Sequence, residues 1–107
     1  MELNQYEIVL LNLDPTIGSE VKKTRPCLIL SPNEMNRHLQ TIVIAPITSS
    51  SKNYPTRVEI KGGTTKGWVM IDQIRTIDRR RIIKSFGKIT EKERVKVKSV
   101  LKETFVD

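Results

Sequence analysis

Apolar positions fall along the chain in short blocks separated by polar punctuation, and the spacing within most blocks is that of strands. Residues 6–13, Tyr-Glu-Ile-Val-Leu-Leu-Asn-Leu, are apolar on both faces of an extended chain and predict a first strand. Pro15 and Gly18 break it, and the polar excursion from Asp14 to Thr24 has the length at which loops often carry function. A second strand is predicted over 25–31, followed by a turn or a short helical turn over 32–38. Residues 41–47 are the most β-prone segment, and Pro46 is expected to mark its end because central strands exclude proline. A polar loop runs from Thr48 to Pro55. Val58 and Ile60 then alternate with Arg57, Glu59 and Lys61, as a half-buried strand requires.

After a turn over 61–67, Trp68 to Ile77 reads as one strand or two joined by a bend. The basic run Arg79-Arg80-Arg81 follows, then a short strand over 84–89. The end of the chain changes period. Thr90 with Glu93 three residues on forms a capping box, each side chain answering an orphan backbone N–H. Val97, Val100, Leu101, Thr104 and Phe105 share one helical face, with Lys92, Lys96, Ser99 and Glu103 on the other side. Several short strands, a short helix and one terminal helix predict a β-rich α+β fold, a small curved antiparallel sheet or barrel with the helix packed on it. At 107 residues, with neither repeats nor a compositional boundary, a single domain over 1–107 is expected.

Charge sharpens this picture. Residues 1–51 carry 4 basic and 5 acidic side chains, and residues 52–107 carry 15 and 7, which together make the net charge of +7. Such a one-sided excess suits a polyanionic partner, because phosphate contacts release counterions. A solvated surface that keeps the protein soluble would look the same. No stretch approaches the roughly 20 apolar residues of a membrane span, and the first residues lack a basic, then apolar, leader pattern, so a cytoplasmic protein is expected. Cys27, the only cysteine, lies within Pro-Cys-Leu-Ile-Leu and reads as a buried small hydrophobe.

Familiar catalytic and metal-binding patterns are scarce. One histidine and one cysteine cannot build a His- or Cys-based zinc site, and neither a P-loop nor a dinucleotide glycine motif occurs. Spacing alone leaves Asp72 and Asp78 open as oxygen ligands. His38, in a polar turn, reads as a solvated surface residue. Any catalyst here would have to work with Arg, Ser, Thr, Glu and Asp, a set that is chemically sufficient for RNA cleavage. There the 2′-OH attacks the adjacent phosphorus, and positioning plus charge stabilisation supply the acceleration. Arg25 combines an extended backbone imposed by Pro26 with a place where the long loop meets an apolar strand, although a surface arginine at a strand start would look alike. The hydroxyl run Thr48-Ser49-Ser50-Ser51 similarly reads either as donors for a phosphate or as an ordinary polar loop.

Gly18-Ser19-Glu20, Arg25-Pro26-Cys27-Leu28-Ile29-Leu30, Ala45-Pro46-Ile47-Thr48-Ser49 and Asp72-Gln73-Ile74-Arg75-Thr76-Ile77-Asp78, in this order and spacing, resemble the MazF/PemK toxin family. Singly each block is weak, and together with the flanking elements they cover nearly the whole chain. The resemblance implies an SH3-like small β-barrel of the CcdB/PemK kind, a homodimer, and metal-independent, cofactor-free cleavage of single-stranded RNA. It further implies that Arg25, Thr48 and Glu20 are catalytic and that Ser19, Lys22, Lys23, Ser49, Asp72, Gln73 and Arg75 contact RNA. An acidic, MazE-like antitoxin is the implied partner. Met70 stands where some members carry a basic residue, and the 20–24 loop holds two lysines without the glycine of some relatives, so the cleavage sequence does not carry over. Two competing readings stay open: a CcdB-like poison that binds a topoisomerase without cutting RNA, and a passive RNA-binding barrel.

Overall fold

The computed structural model describes residues 2–12, 23–63 and 65–106. Its framework is a 7-stranded antiparallel sheet. The strands are β1 (Glu7–Asn12), β2 (Thr24–Ile29), β3 (Thr41–Thr48), β4 (Arg57–Ile60), β5 (Gly67–Met70), β6 (Arg75–Asp78) and β7 (Ile82–Lys88). They run in the order β4-β5-β3-β2-β1-β7, with β6 also paired to β3. Two helices accompany them, α1 (Asn33–His38) and α2 (Glu91–Phe105). Among the described residues β4 and β7 end the path without pairing to each other, so the sheet is open rather than a closed barrel.

The two-faced apolarity of the first blocks has a structural reason. Ile8, Leu28, Ala45 and Ile47 point into one core with Val58, Ile60, Val69 and the α2 residues Val97 and Val100. Their strand neighbours Val9, Leu11, Cys27, Ile29, Ile42 and Ile44 point into a second core with Ile77. Strands β1 to β3 therefore bury both faces, and successive side chains feed alternate cores.

Pro46 does not end its strand. It sits inside β3, buried, opposite Cys27 of β2. The other side of β3 explains the tolerance. There β6 pairs with Thr41–Ile44 and β5 pairs with Ile47 and Thr48, which leaves residues 45 and 46 paired to β2 alone. At that point β3 behaves locally as an edge, where a missing N–H costs little.

The stretch read as one or two strands is two, β5 and β6, separated by a 3-10 turn at Ile71–Gln73. The last strand begins two residues earlier than expected and is mostly exposed. Helix α2 carries the capping box: the Glu93 N–H donates to Thr90 Oγ1 and the Thr90 N–H to Glu93 Oε1. Glu93 Oε2 also accepts from the N–H groups of Lys61 (2.7 Å) and Gly62 (3.1 Å), pinning the β4–β5 turn to the helix. The predicted apolar face is corrected at its end, for Phe105 is 59% exposed while Val97 and Val100 are buried. The helix rests on β4 and on the 3-10 turn at Ile71–Gln73, and its last apolar residue is not covered by that support. No helix among the described residues is long and apolar enough to cross a membrane.

Candidate functional site

Strand β2 starts at Thr24 and carries Arg25 at its second position, paired with Leu11 of β1. Strand β3 ends at Thr48, paired with Trp68 of β5. These two strands are antiparallel neighbours, Cys27 facing Pro46. The register thus brings the start of one to the end of the other, and the two most suggestive residues of the sequence share a cleft. Its volume is about 210 Å³, and Thr24, Arg25, Thr48, Ser49 and Lys66 supply its polar walls, with Pro26 and Ile47 completing the lining.

Gly67 makes this arrangement possible. A Cβ there would lie 2.5 Å from the Thr48 carbonyl oxygen and 2.9 Å from Ile47 Cγ2. Only a glycine lets β5 approach the end of β3 this closely, and that approach carries the adjacent Lys66 to the cleft. Lys66, within the turn expected over 61–67, is a cleft residue that the sequence pattern does not single out. The glycine before a β-prone run was the available signal.

Arg25 is half-buried, and among the described residues its guanidinium makes no hydrogen bond or ion pair. Thr48 Oγ1 donates to the Ser50 carbonyl at 3.0 Å. That exposed bond is local, and a hydroxyl rotates readily to a better acceptor. Beneath them Cys27 is fully buried, and burial pushes its thiol up to about 12 while the charges of Arg25 and Arg75 pull the other way. This agrees with its reading as a core residue. An arginine, a lysine and three hydroxyl residues around a cleft of this size can hold a phosphodiester, with donors on several sides of the phosphorus.

The remaining expected residues are spread more widely. Lys23 is exposed just before β2 and does not line the cleft. Asp72, Gln73 and Arg75 also lie outside its walls, on the 3-10 turn and on β6. Asp72 is engaged by Arg57, Nε to Oδ1 at 2.9 Å and Nη2 to Oδ2 at 3.3 Å, and accepts from Thr56 Oγ1 at 3.1 Å. The Arg57 hydrogen bonds hold its carboxyl below the usual range. Ser19, Glu20 and Lys22 fall outside the described residues.

His38 is exposed at the end of α1, as its solvated reading requires. In the basic run, Arg79 donates to the carbonyls of Asn36 (2.6 Å) and Leu39 (3.2 Å), and Arg80 forks onto Asp78 (Nη2–Oδ2 2.8 Å). Much of that run therefore ties α1 and β6 together. Among the described residues no group of three or more His, Cys, Asp and Glu side chains could hold a metal ion.

An antiparallel sheet backed by a C-terminal helix, with a cationic, hydroxyl-bearing cleft between adjacent strand ends, is the class of architecture these residues define. Residues 4–105 match the family described as PemK-like, MazF-like toxin of type II toxin-antitoxin system, and the chain belongs to that family. It is 38% identical over 82 residues to endoribonuclease PemK of Escherichia coli, covering 72% of this chain and 62% of that protein. It is 34% identical over 71 residues to the endoribonuclease toxin MazF of Escherichia coli strain K12, covering 66% and 64%. The matched stretch thus spans less than two thirds of the length of either relative. Among solved structures, MazE-MazF (Form-II) from Deinococcus radiodurans superimposes with a TM-score of 0.85 at 27% identity, covering 99% of this chain and 97% of that one.

Proposed function

We propose that this chain is the toxin of a type II toxin–antitoxin pair, a metal-independent endoribonuclease cutting single-stranded RNA. The observation that carries the reading is the cleft that joins Arg25, whose head is unengaged among the described residues, to Thr48, Ser49 and Lys66. In this mechanism the scissile phosphate sits among those side chains and the 2′-OH attacks phosphorus in line. The products are a 2′,3′-cyclic phosphate and a free 5′-OH. A guanidinium stays protonated and is a poor base, so Arg25 stabilises the charge of the pentacoordinate phosphorane and can donate one of its own protons to the leaving 5′ oxygen. Thr48 turns its hydroxyl from Ser50 to a phosphate oxygen. Lys66, on the opposite wall, neutralises the phosphate.

Family membership supports the remaining assignments. Glu20 assists proton transfer, and Ser19, Lys22, Lys23, Ser49, Asp72, Gln73 and Arg75 contact the RNA. The protein works in the cytoplasm as a homodimer restrained by an acidic, MazE-like antitoxin, a partner suited to its net charge of +7. Residues 1–107 form one domain, and the curled sheet is of the SH3-like barrel kind.

The test is incubation of purified protein with a long unstructured RNA in EDTA, beside Arg25→Ala, with new 5′ ends mapped. Discrete cuts bearing 5′-OH ends are expected. Loss of one charged donor to the transition state should slow cleavage by about 10²-fold or more, with an unchanged unfolding temperature. Intact RNA with the folded wild-type protein would overturn the ribonuclease and favour a topoisomerase-binding poison or a passive binder.

A further inference from the structure

Beyond the cleavage cleft, the loop that leaves Thr48 builds a second hollow. It has a volume of about 440 Å³ and is lined by Ser50, Ser51, Lys52, Tyr54 and Arg57. Thr48 and Ser49 face the first hollow, and Ser50 and Ser51 line the second. One continuous stretch of chain therefore supplies walls to both hollows.

The second hollow presents an aromatic ring in an unusually fixed setting. Tyr54 is 48% exposed, although large aromatic side chains are mostly covered in folded proteins. The Arg57 guanidinium carbon sits 5.6 Å from the centre of its ring. Arg57 itself is held. Its side chain is only 15% exposed, grips both Asp72 oxygens, and donates from Nη1 to Ser51 Oγ at 3.2 Å. The Tyr54 backbone is also tied down, its N–H donating to the Lys52 carbonyl at 2.8 Å and its carbonyl accepting from the Arg57 N–H at 3.0 Å. Pro55 restricts it further from the other side.

We infer that Tyr54, backed by the Asp72-anchored Arg57, is the stacking platform for one unpaired nucleobase of the RNA near the reacting linkage. Single-stranded RNA is recognised by splaying bases onto aromatic rings. A ring whose support is already rigid loses little freedom when a base settles on it. Lys52, beside the ring, meets the phosphate of the stacked nucleotide. Because every base has a flat face, the platform contributes affinity more than base identity. It acts by holding the strand in place, so its loss raises KM more than it lowers kcat.

This inference rests on the ribonuclease reading for its ligand, and the experiment separates the two. Once the cleavage sequence is mapped, an RNA oligonucleotide spanning it, blocked by 2′-deoxy substitution at the reacting position, is scanned with single abasic nucleotides. Binding is read by fluorescence anisotropy for wild type, Tyr54→Ala and Tyr54→Phe. Wild type should show one abasic position near the reacting linkage that weakens binding about tenfold or more. Tyr54→Ala should lose a similar factor on the intact oligonucleotide and nothing further at that position. Tyr54→Phe should keep near wild-type affinity, because the ring and not its hydroxyl does the stacking. On cleavable RNA, Tyr54→Ala should raise KM with kcat changed far less. Wild-type affinity in Tyr54→Ala, or losses that multiply with the abasic loss at every position, would overturn the platform while leaving the ribonuclease intact. Binding with the expected abasic pattern but without cleavage of unblocked RNA would overturn the ribonuclease and leave the platform standing.

Discussion

Gly67→Ala is the substitution most directly readable from the structure. The backbone there requires no glycine for conformational reasons, since its φ is not in the left-handed region. The constraint is space. The added methyl would sit 2.5 Å from the Thr48 carbonyl oxygen and 2.9 Å from Ile47 Cγ2, against the 3.4 Å or more of ordinary contact. The oxygen belongs to a paired backbone, so relief requires β5 to part from β3 by about 1 Å. Forced overpacking of this kind costs about 1–3 kcal/mol, which for a domain of this size lowers Tm by roughly 5–15 °C. The displacement falls at Thr48 and beside Lys66, both walls of the cleft. A misplacement of about 1 Å at a reacting group costs on the order of 10²-fold in rate. Thermal unfolding followed by circular dichroism, with kcat/KM on a fluorogenic RNA oligonucleotide, reads both effects. Gly63→Ala is the control, because nothing lies within 4 Å of a Cβ there. If Gly67→Ala matched Gly63→Ala in both stability and activity, the close approach of β5 would not be what shapes the cleft.

Two further outcomes follow from groups outside the cleft. Burial raises the Glu93 pKa, but the backbone N–H groups of Thr90, Lys61 and Gly62 outweigh it and leave the carboxyl below its ordinary value. Its contribution to stability is therefore complete above the unfolded value of about 4.3 and disappears as pH falls through the lower folded value. Glu93→Gln should cost about 1–2 kcal/mol near pH 7, and the gap in Tm from wild type should close in acid; a gap independent of pH would refute the charge-based pin. Cys27, buried and with its thiol pushed up to about 12, should resist iodoacetamide at pH 8 in the native protein and react only on unfolding. Rapid labelling under native conditions would show that the second core opens.

What the sequence disclosed and what it withheld divide along physical lines. Helix α2 was legible because its cap and its 3.6-residue period are local, and the Arg57–Ile60 strand because its alternation is local. Arg25 and Thr48 could be singled out, but their meeting depends on the β2–β3 register, which no short window specifies. Pro46 departs from its local rule for a related reason. A rule about central strands cannot foresee a strand that changes partners beside its proline. The grip of Arg57 on Asp72 joins residues 15 apart across a turn, and Lys66 reaches the cleft only through the approach allowed at Gly67. Phe105 satisfied the helical period, yet burial also requires something to pack against.

The change of partners along β3 has a consequence for how such a protein diversifies. One stretch of that strand, 41–44, is stitched to β6, and the other, 47–48, to β5. Arg25 stands on the β1–β2 side, whereas the 49–56 loop and Lys66 belong to the β4–β5 side. Insertions or exchanges in the latter can remodel what the molecule grips without disturbing the register that presents Arg25. The join at Ala45 and Pro46 thus divides the walls of one cleft between two separately paired parts of the sheet, so each wall can be altered while the pairing of the other is kept.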